Sequence, residues 1–316
     1  MKKFFVFFCF LLLGLSAAAQ EEGNRETYLY ARRDTCDLYL DVFRPVAGAD
    51  TTFNGLPKPT IVFVFGGGFI MGERVDEITL QWFNRLNENG YTLVTIDYRL
   101  GMKGYKKGKG LLGAYKASDR FCQAQQMGVE DLFSAIRFIA DNRAELGIDP
   151  ANLVVSGSSA GAIISQKAEY DILCGRTGEL PVGFQFKGVM AFAGAIISSE
   201  GAPKYPSAPC PMLLLHGTAD KTVAYNKYAA FGHGIWGSDY LVKQWTRQGF
   251  NNYCIYRFKD RQHEVAAYMN YVWDLEKDFL EQSVILGRER TIDTVIDDPS
   301  LPVWSWARAS LDNMYR

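Results

Sequence analysis

The most constraining stretch of the chain is Asn152-Leu-Val-Val-Ser-Gly-Ser-Ser-Ala-Gly-Ala162. An apolar run of β-forming residues, Leu153 to Val155, meets a turn of small residues, and a helix-forming segment follows. Gly157-Ser158-Ser159-Ala160-Gly161 fits the pattern G-x-S-x-G, which sets a serine at the tip of a sharp strand-to-helix turn. Such a tip is held in a strained backbone conformation, and the flanking glycines let strand and helix approach without a Cβ between them. The hydroxyl of Ser159 is therefore expected over the carboxyl end of a sheet, at the start of a helix.

The remaining pattern supplies that sheet. Residues 36–45 alternate polar and apolar and end at Pro45, which predicts an antiparallel edge strand. Residues 60–65 and 91–98 read as strands buried on both faces. Between them, Ile78, Leu80, Phe83 and Leu86 give residues 74–89 helical spacing. A long amphipathic helix is predicted over 117–145, with Leu132, Ile136, Phe138 and Ile139 on its apolar side. Apolar runs at 186–192, 211–215 and 252–258 add strands, and residues 238–249 and 264–285 add helices. Strands alternating with helices imply an α/β fold with a mostly parallel, doubly wound sheet and helices on both faces. Residues 287–316 read as a C-terminal extension packed on the body, with Trp304 and Trp306 among its buried aromatics.

Polar residues gather where these strands end, the usual place for a site on a parallel sheet. Ser159 is the candidate nucleophile. A serine hydroxyl needs a base to take its proton as it attacks, and imidazole suits the task because it titrates near neutrality. There are three histidines. His216 sits immediately after the 211–215 strand, four residues before Asp220, and reads as structural by chain order, and His233 reads as a surface or loop residue. His263 follows the last strand and is the candidate base. Asp220, in His216-Gly-Thr-Ala-Asp220, is the candidate carboxylate that orients it. Asp260 and Glu264 lie too near His263 in the chain, and Asp239 opens a helix. The oxyanion formed on attack needs preorganised donors. The amides of Gly67 and Gly68 in Gly66-Gly-Gly-Phe69, and of Ala160 after the nucleophile, are the candidates. No Gly-Lys-Ser/Thr follows those glycines, so they do not form a phosphate loop.

The chain is 316 residues long with a net charge of −1, which offers no field to attract nucleic acid or an anionic membrane. The one basic cluster, Lys103, Lys106, Lys107 and Lys109, reads as a solvated loop. Lys2 and Lys3, the apolar run from Phe4 to Leu15 and Ala17-Ala-Ala19 form a secretory leader over residues 1–19, of bacterial character. Residues 20–316 then form one domain exported to the periplasm or beyond. Five cysteines remain after cleavage, Cys36, Cys122, Cys174, Cys210 and Cys254. Their spacing matches no metal motif, and one or two disulfides of open pairing are compatible with an oxidising compartment.

Gly66–Phe69, Gly157–Gly161, His216–Asp220 and His263-Glu264 together resemble the α/β-hydrolase carboxylesterases, closest to hormone-sensitive-lipase-like and bacterial acetylxylan or feruloyl esterase-type enzymes. The similarity runs from about residue 36 to 285. The resemblance implies a Ser159–His263–Asp220 triad, an oxyanion hole from Gly67, Gly68 and Ala160, no metal and no cofactor. It also implies an acyl-enzyme route on small-molecule or glycan esters carrying short acyl, acetyl or feruloyl groups. The family's usual His-Gly-Gly-Gly reads Phe65-Gly-Gly-Gly68 here, which puts the prop of the glycine loop in question rather than the chemistry. The interval from Ser159 to Asp220 leaves room for at most a small cap, expected around 173–186. An exopeptidase or acyltransferase would use the same residues, and a non-catalytic binding protein on this fold is the remaining alternative.

Overall fold

The computed structural model of the chain describes residues 25–106, 108–230 and 232–308. The leader read at residues 1–19 lies outside them, as do Lys107 and residues 309–316. The first strands are β1 (Arg25–Arg33), β2 (Cys36–Phe43), the short pair β3 (Thr52–Phe53) and β4 (Leu56–Pro57), β5 (Thr60–Val64) and β6 (Leu93–Ile96). They are followed by β7 (Leu153–Ser158), β8 (Gly188–Phe192), β9 (Ala195–Ser198) and β10 (Met212–Gly217). The last are β11 (Lys227–Ala230), β12 (His233–Gly237), β13 (Tyr253–Phe258) and β14 (Thr291–Ile296). The α-helices are α1 (Glu77–Glu88), α2 (Gly110–Asp141), α3 (Arg143–Leu146), α4 (Ala160–Leu173), α5 (Ser238–Gln248) and α6 (Trp273–Asp278).

Nine strands form one sheet in the order β1-β2-β6-β5-β7-β8-β10-β13-β14. From β6 to β14 every neighbouring pair is parallel, and β1 and β2 are antiparallel. The continuous apolar runs explain the middle of it. Every residue of β5, β6 and β8 is buried, because helices cover both faces. The chain moves from β5 outward to β6, then returns to place β7 on the other side of β5. That reversal separates the loops after β5 and β7 and opens a crevice at their carboxyl ends. The glycine loop ends one of these strands and Ser159 the other.

Several sequence expectations need correction. Residues 36–45 are not the edge: β1 pairs outside β2, so Pro45 marks only where that strand stops. In α1, Ile78 and Leu80 are exposed, and Trp82, Phe83 and Leu86 form the buried face. The phase is set by Asp76, whose carboxylate accepts from the amides of Ile78 and Thr79 in a capping box. Helix α2 starts at Gly110, well before residue 117, because its first half packs on β9 and β12 and overrides a glycine-rich composition. Residues 264–285 are not one helix: 3₁₀ turns at His263–Ala267 and Met269–Tyr271 precede α6, and a π-helical turn, Phe279–Ile285, follows it.

The extension is more than packing, since β14 joins the sheet along β13. Segment 174–186 does not cap the site either. Helix α4, 14 residues long, carries the chain about 21 Å from Ser159 to the opposite edge of the sheet before that segment begins. A small antiparallel sheet, β11-β12-β9, instead flanks the carboxyl edge beside the first half of α2, tied by Gln125 to both backbone groups of Ile197. The five cysteines are free, and among them Cys254 alone is buried.

One core feature is testable. Trp82 Nε1 donates to Glu276 Oε2 at 2.6 Å, and the Glu276 carboxyl is wholly buried. Burial holds its pKa well above the ordinary value, and the Trp82 bond and Arg85 offset this only in part. A raised folded-state pKa gives stability that is complete below the unfolded value, about 4.3, and lost as pH rises toward the folded one. Thermal melts of wild type and Glu276→Gln from pH 5 to 8 are therefore expected to diverge. The wild type should lose up to about 1.4 kcal/mol per pH unit relative to the variant within that window.

Candidate active site

The turn after β7 is built by backbone contact. Ser159 has φ 51° and ψ −115°, an unfavourable conformation for a side chain-bearing residue. It is fixed because its amide donates to Phe192 O at 2.9 Å while its carbonyl accepts from Ile163 N at 3.0 Å, starting α4. A Cβ on Gly161 would overlap the carbonyl oxygen of Val64, and one on Gly157 would overlap the carbonyl of Gly161. Both glycines are thus required by close approach of β5, β7 and α4. The hydroxyl of Ser158 donates to Ala266 O at 2.7 Å and ties this turn to the segment that carries His263.

The glycine loop lies against the same turn. A Cβ on Gly66 would come within 3.3 Å of Ser159 Cβ. Gly67, Gly68 and Phe69 all have positive φ, which folds the chain back on itself beside Ser159. Phe65, standing where the family that the sequence resembles usually has histidine, stacks on Tyr98 with ring centroids 4.5 Å apart, and Tyr98 Oη donates to Phe65 O at 3.1 Å. An apolar stack therefore props this loop. Ala160 is the first residue of α4, and first-turn amides have no acceptor within their own helix.

Asp220 and His263 arrive from two other strands. Asp220 follows β10, and β13 lies three strands from β7, about 14 Å at the usual spacing. The chain after β13 must therefore fold back over the sheet to bring His263 to Ser159. Gly217 makes room for it, since a Cβ there would overlap the carbonyls of Arg261 and Gln262. Ala219 N then donates to Arg261 O at 2.9 Å and Asp260 N to Thr218 Oγ1 at 2.9 Å, so the crossing is stitched to β10's own exit.

The result is one hydrogen-bonded line. Ser159 Oγ lies 2.7 Å from His263 Nε2, and His263 Nδ1 lies 2.8 Å from Asp220 Oδ2. An ionised carboxylate only accepts, so Nδ1 carries the proton and Nε2 presents a lone pair to the serine hydroxyl. Asp220 Oδ1 accepts from the amides of Thr222 and Val223 at 2.8 and 2.9 Å. Burial pushes the Asp220 pKa upward, but His263 and His216 outweigh it and hold the carboxyl well below the usual range.

His216 is a structural neighbour of this line. It is fully buried, with Nε2 3.0 Å from Val223 O and 3.5 Å from Asp220 Oδ2, and Nδ1 2.9 Å from Ser238 Oγ. Val223 O can only accept, so Nε2 is protonated. His233 is remote from the line, beside Asp119 and Tyr115. Glu264 closes a local turn onto Gln262 N, and Asp239 binds Lys243 and Arg257. Ser158, Ser238 and Gly217 were not singled out from sequence, because their roles depend on which chain crosses above them. Gly217 alone left a signal, its place between His216 and the Thr-Ala-Asp that follows.

Gly217→Ala tests the crossing. Overpacking costs about 1–3 kcal/mol. The melting temperature of the variant is expected to fall by several degrees, at about 2–4 °C per kcal/mol for a chain of this size class. An unchanged melt would show that the loop gives way freely.

Comparison with known proteins places this geometry in context. The profile described as "Carboxylesterase family" matches residues 16–167, and that described as "Phospholipase/Carboxylesterase" matches residues 114–264. The chain is 28% identical over 176 residues to Secreted lipase 1 of Botryotinia fuckeliana, covering 55% of this chain and 27% of that protein. It is 25% identical over 226 residues to Lipase 2 of Geotrichum candidum, covering 69% of this chain and 35% of the lipase. The para-nitrobenzyl esterase of Bacillus subtilis is 30% identical over 138 residues, 43% of this chain and 25% of that enzyme. The chain thus spans about a third or less of these relatives' lengths. Among solved structures, butyrate-bound esterase 2 of Thermogutta terrifontis superposes with a TM-score of 0.57 at 20% identity, covering 84% of this chain and 96% of that one. The apo form gives a TM-score of 0.57 at 21% identity, covering 84% and 97%.

Proposed function

We propose that the chain is a serine carboxylic-ester hydrolase of the α/β-hydrolase carboxylesterases, a reading supported by the two carboxylesterase profiles that match residues 16–167 and 114–264. The observation that carries the reading is the line Ser159 Oγ–His263 Nε2–Nδ1–Asp220 Oδ2, at 2.7 and 2.8 Å, with the imidazole in the tautomer a base requires. In this reading His263 takes the proton of Ser159 as Oγ attacks the ester carbonyl, and Asp220 stabilises the imidazolium. The amides of Gly67, Gly68 and Ala160 take up the oxyanion. His263 then gives its proton to the departing alcohol oxygen, leaving an acyl-serine. A water, deprotonated by His263, attacks that acyl carbon, and His263 returns the proton to Ser159 Oγ as the acid leaves.

The substrate class we assign is short-acyl esters and acetyl or feruloyl esters of carbohydrates, resting on the family resemblance of the four motifs. Among the described residues no helix is long and apolar enough to cross a membrane. The lysine-flanked apolar leader, and the secreted character in the name of one relative, support export of this chain.

Hydrolysis of p-nitrophenyl esters from acetate upward tests the reading. Turnover is expected on acetate and butyrate and to fall by about 10⁴- to 10⁶-fold in Ser159→Ala. Asp220→Asn is expected to lower kcat by up to about 10⁴-fold, because the amide favours the wrong tautomer of His263. Full activity of Ser159→Ala would overturn the assignment.

A further inference from the structure

The C-terminal segment reaches the reactive centre. Tyr268 Oη donates to Pro302 O at 2.8 Å, and Ala307 is buried, so residues 302–307 are pinned across the turn that begins at His263. Trp304 lies against Tyr268 and Tyr271, with ring centroids 6.0 and 6.1 Å apart. Trp306 stacks on Trp304 at 5.8 Å and 16°, and its ring stands perpendicular to that of His263 at 6.4 Å. Yet Trp306 remains 45% exposed, beside the exposed Tyr271 and Val303. An indole held in place by a neighbour, open to solvent and adjacent to the candidate base is a ready surface for a ring with an apolar face.

Its position selects which half of an ester it meets. The oxygen that leaves must receive its proton from His263 Nε2, so the alcohol half of the substrate lies on the imidazole side of Ser159. The acyl half extends away from it. We propose that Trp306 forms the leaving-group subsite, stacking on a ring-bearing alcohol, either a pyranose or an aryl alcohol. This rests on the esterase reading and adds to it the residue that selects the alcohol. Both rings present an apolar face to the indole, and their esters release the same acid by the same route. The C-terminal extension is then part of the binding site.

The test uses three acetate esters that differ only in the alcohol: ethyl acetate, benzyl acetate and an acetylated methyl pyranoside. Acetate release is followed for wild type, Trp306→Ala, Trp306→Phe and Ser159→Ala. The readout is kcat/KM for each ring-bearing ester divided by that for ethyl acetate in the same preparation, so a lower folded fraction cancels. Trp306→Ala is expected to lower this ratio about tenfold, mainly through KM, with Trp306→Phe restoring most of it. A drop confined to the pyranoside identifies a sugar subsite, one confined to benzyl acetate an aryl subsite, and a drop in both a general ring platform. Ser159-dependent turnover with an unchanged ratio would overturn the subsite alone. Absence of Ser159-dependent acetate release from all three would overturn the esterase reading and the subsite with it.

Discussion

The structure turns on a backbone-to-backbone contact. The first turn of α4 lies directly against the end of β5, where Gly161 faces the carbonyl of Val64 with no space for a methyl group. That contact forces the sharp exit from β7 and so sets the backbone of Ser159 at φ 51°. It also brings the glycine loop after β5 within touch of Ser159, since both strands end at the same crevice. A strained residue persists only where its surroundings over-determine it. Here the amide of Ser159 is held by Phe192 of the next strand and its carbonyl by its own helix.

The second constraint is a distance. Strand β13 ends too far from β7 for a short side chain to span, and the polypeptide itself makes the crossing. Gly217 admits it, Thr218 and Ala219 bind it, and Ser158 fastens its far end at Ala266. Asp220 sits beneath this bridge and is held by two backbone amides and His263, with His216 close by. A buried carboxylate is costly unless its lone pairs are occupied. Here they are filled, so it is held ionised and accepts a hydrogen bond from Nδ1, fixing the imidazole's orientation.

Around this centre the walls come from distant parts of the chain: the first half of α2, the small sheet of β9, β11 and β12, and the segment around Trp306. None is segment 173–186, where chain spacing suggested a cap. The reason is geometric, because α4 removes the chain to the opposite edge of the sheet before segment 174–186 begins.

By itself the sequence determined the elements whose signal is local. Continuous apolar runs marked β5, β6, β7, β8, β10 and β13, and the spaced small residues around Ser159 marked the turn. Strands that alternate with helices and end in polar residues can form only a parallel sheet with those residues at one edge. Ser159, Asp220 and His263 could therefore be named before their distances were known. What was missed was non-local. The pairing of β1 outside β2, and of β14 along β13, depends on hydrogen-bond partners that leave little trace in Arg25–Arg33 or Thr291–Ile296 beyond β-branched and aromatic content. The burial of Trp82 in place of Ile78 was set by a cap at Asp76 and by Glu276, 194 residues away in the chain. Trp304 and Trp306 read alike as sequence, two aromatics to be buried. Only the folded tail, crossing the turn at His263, half-buried one and left the other exposed beside the imidazole, because burial is decided by what packs against a residue and not by the residue itself.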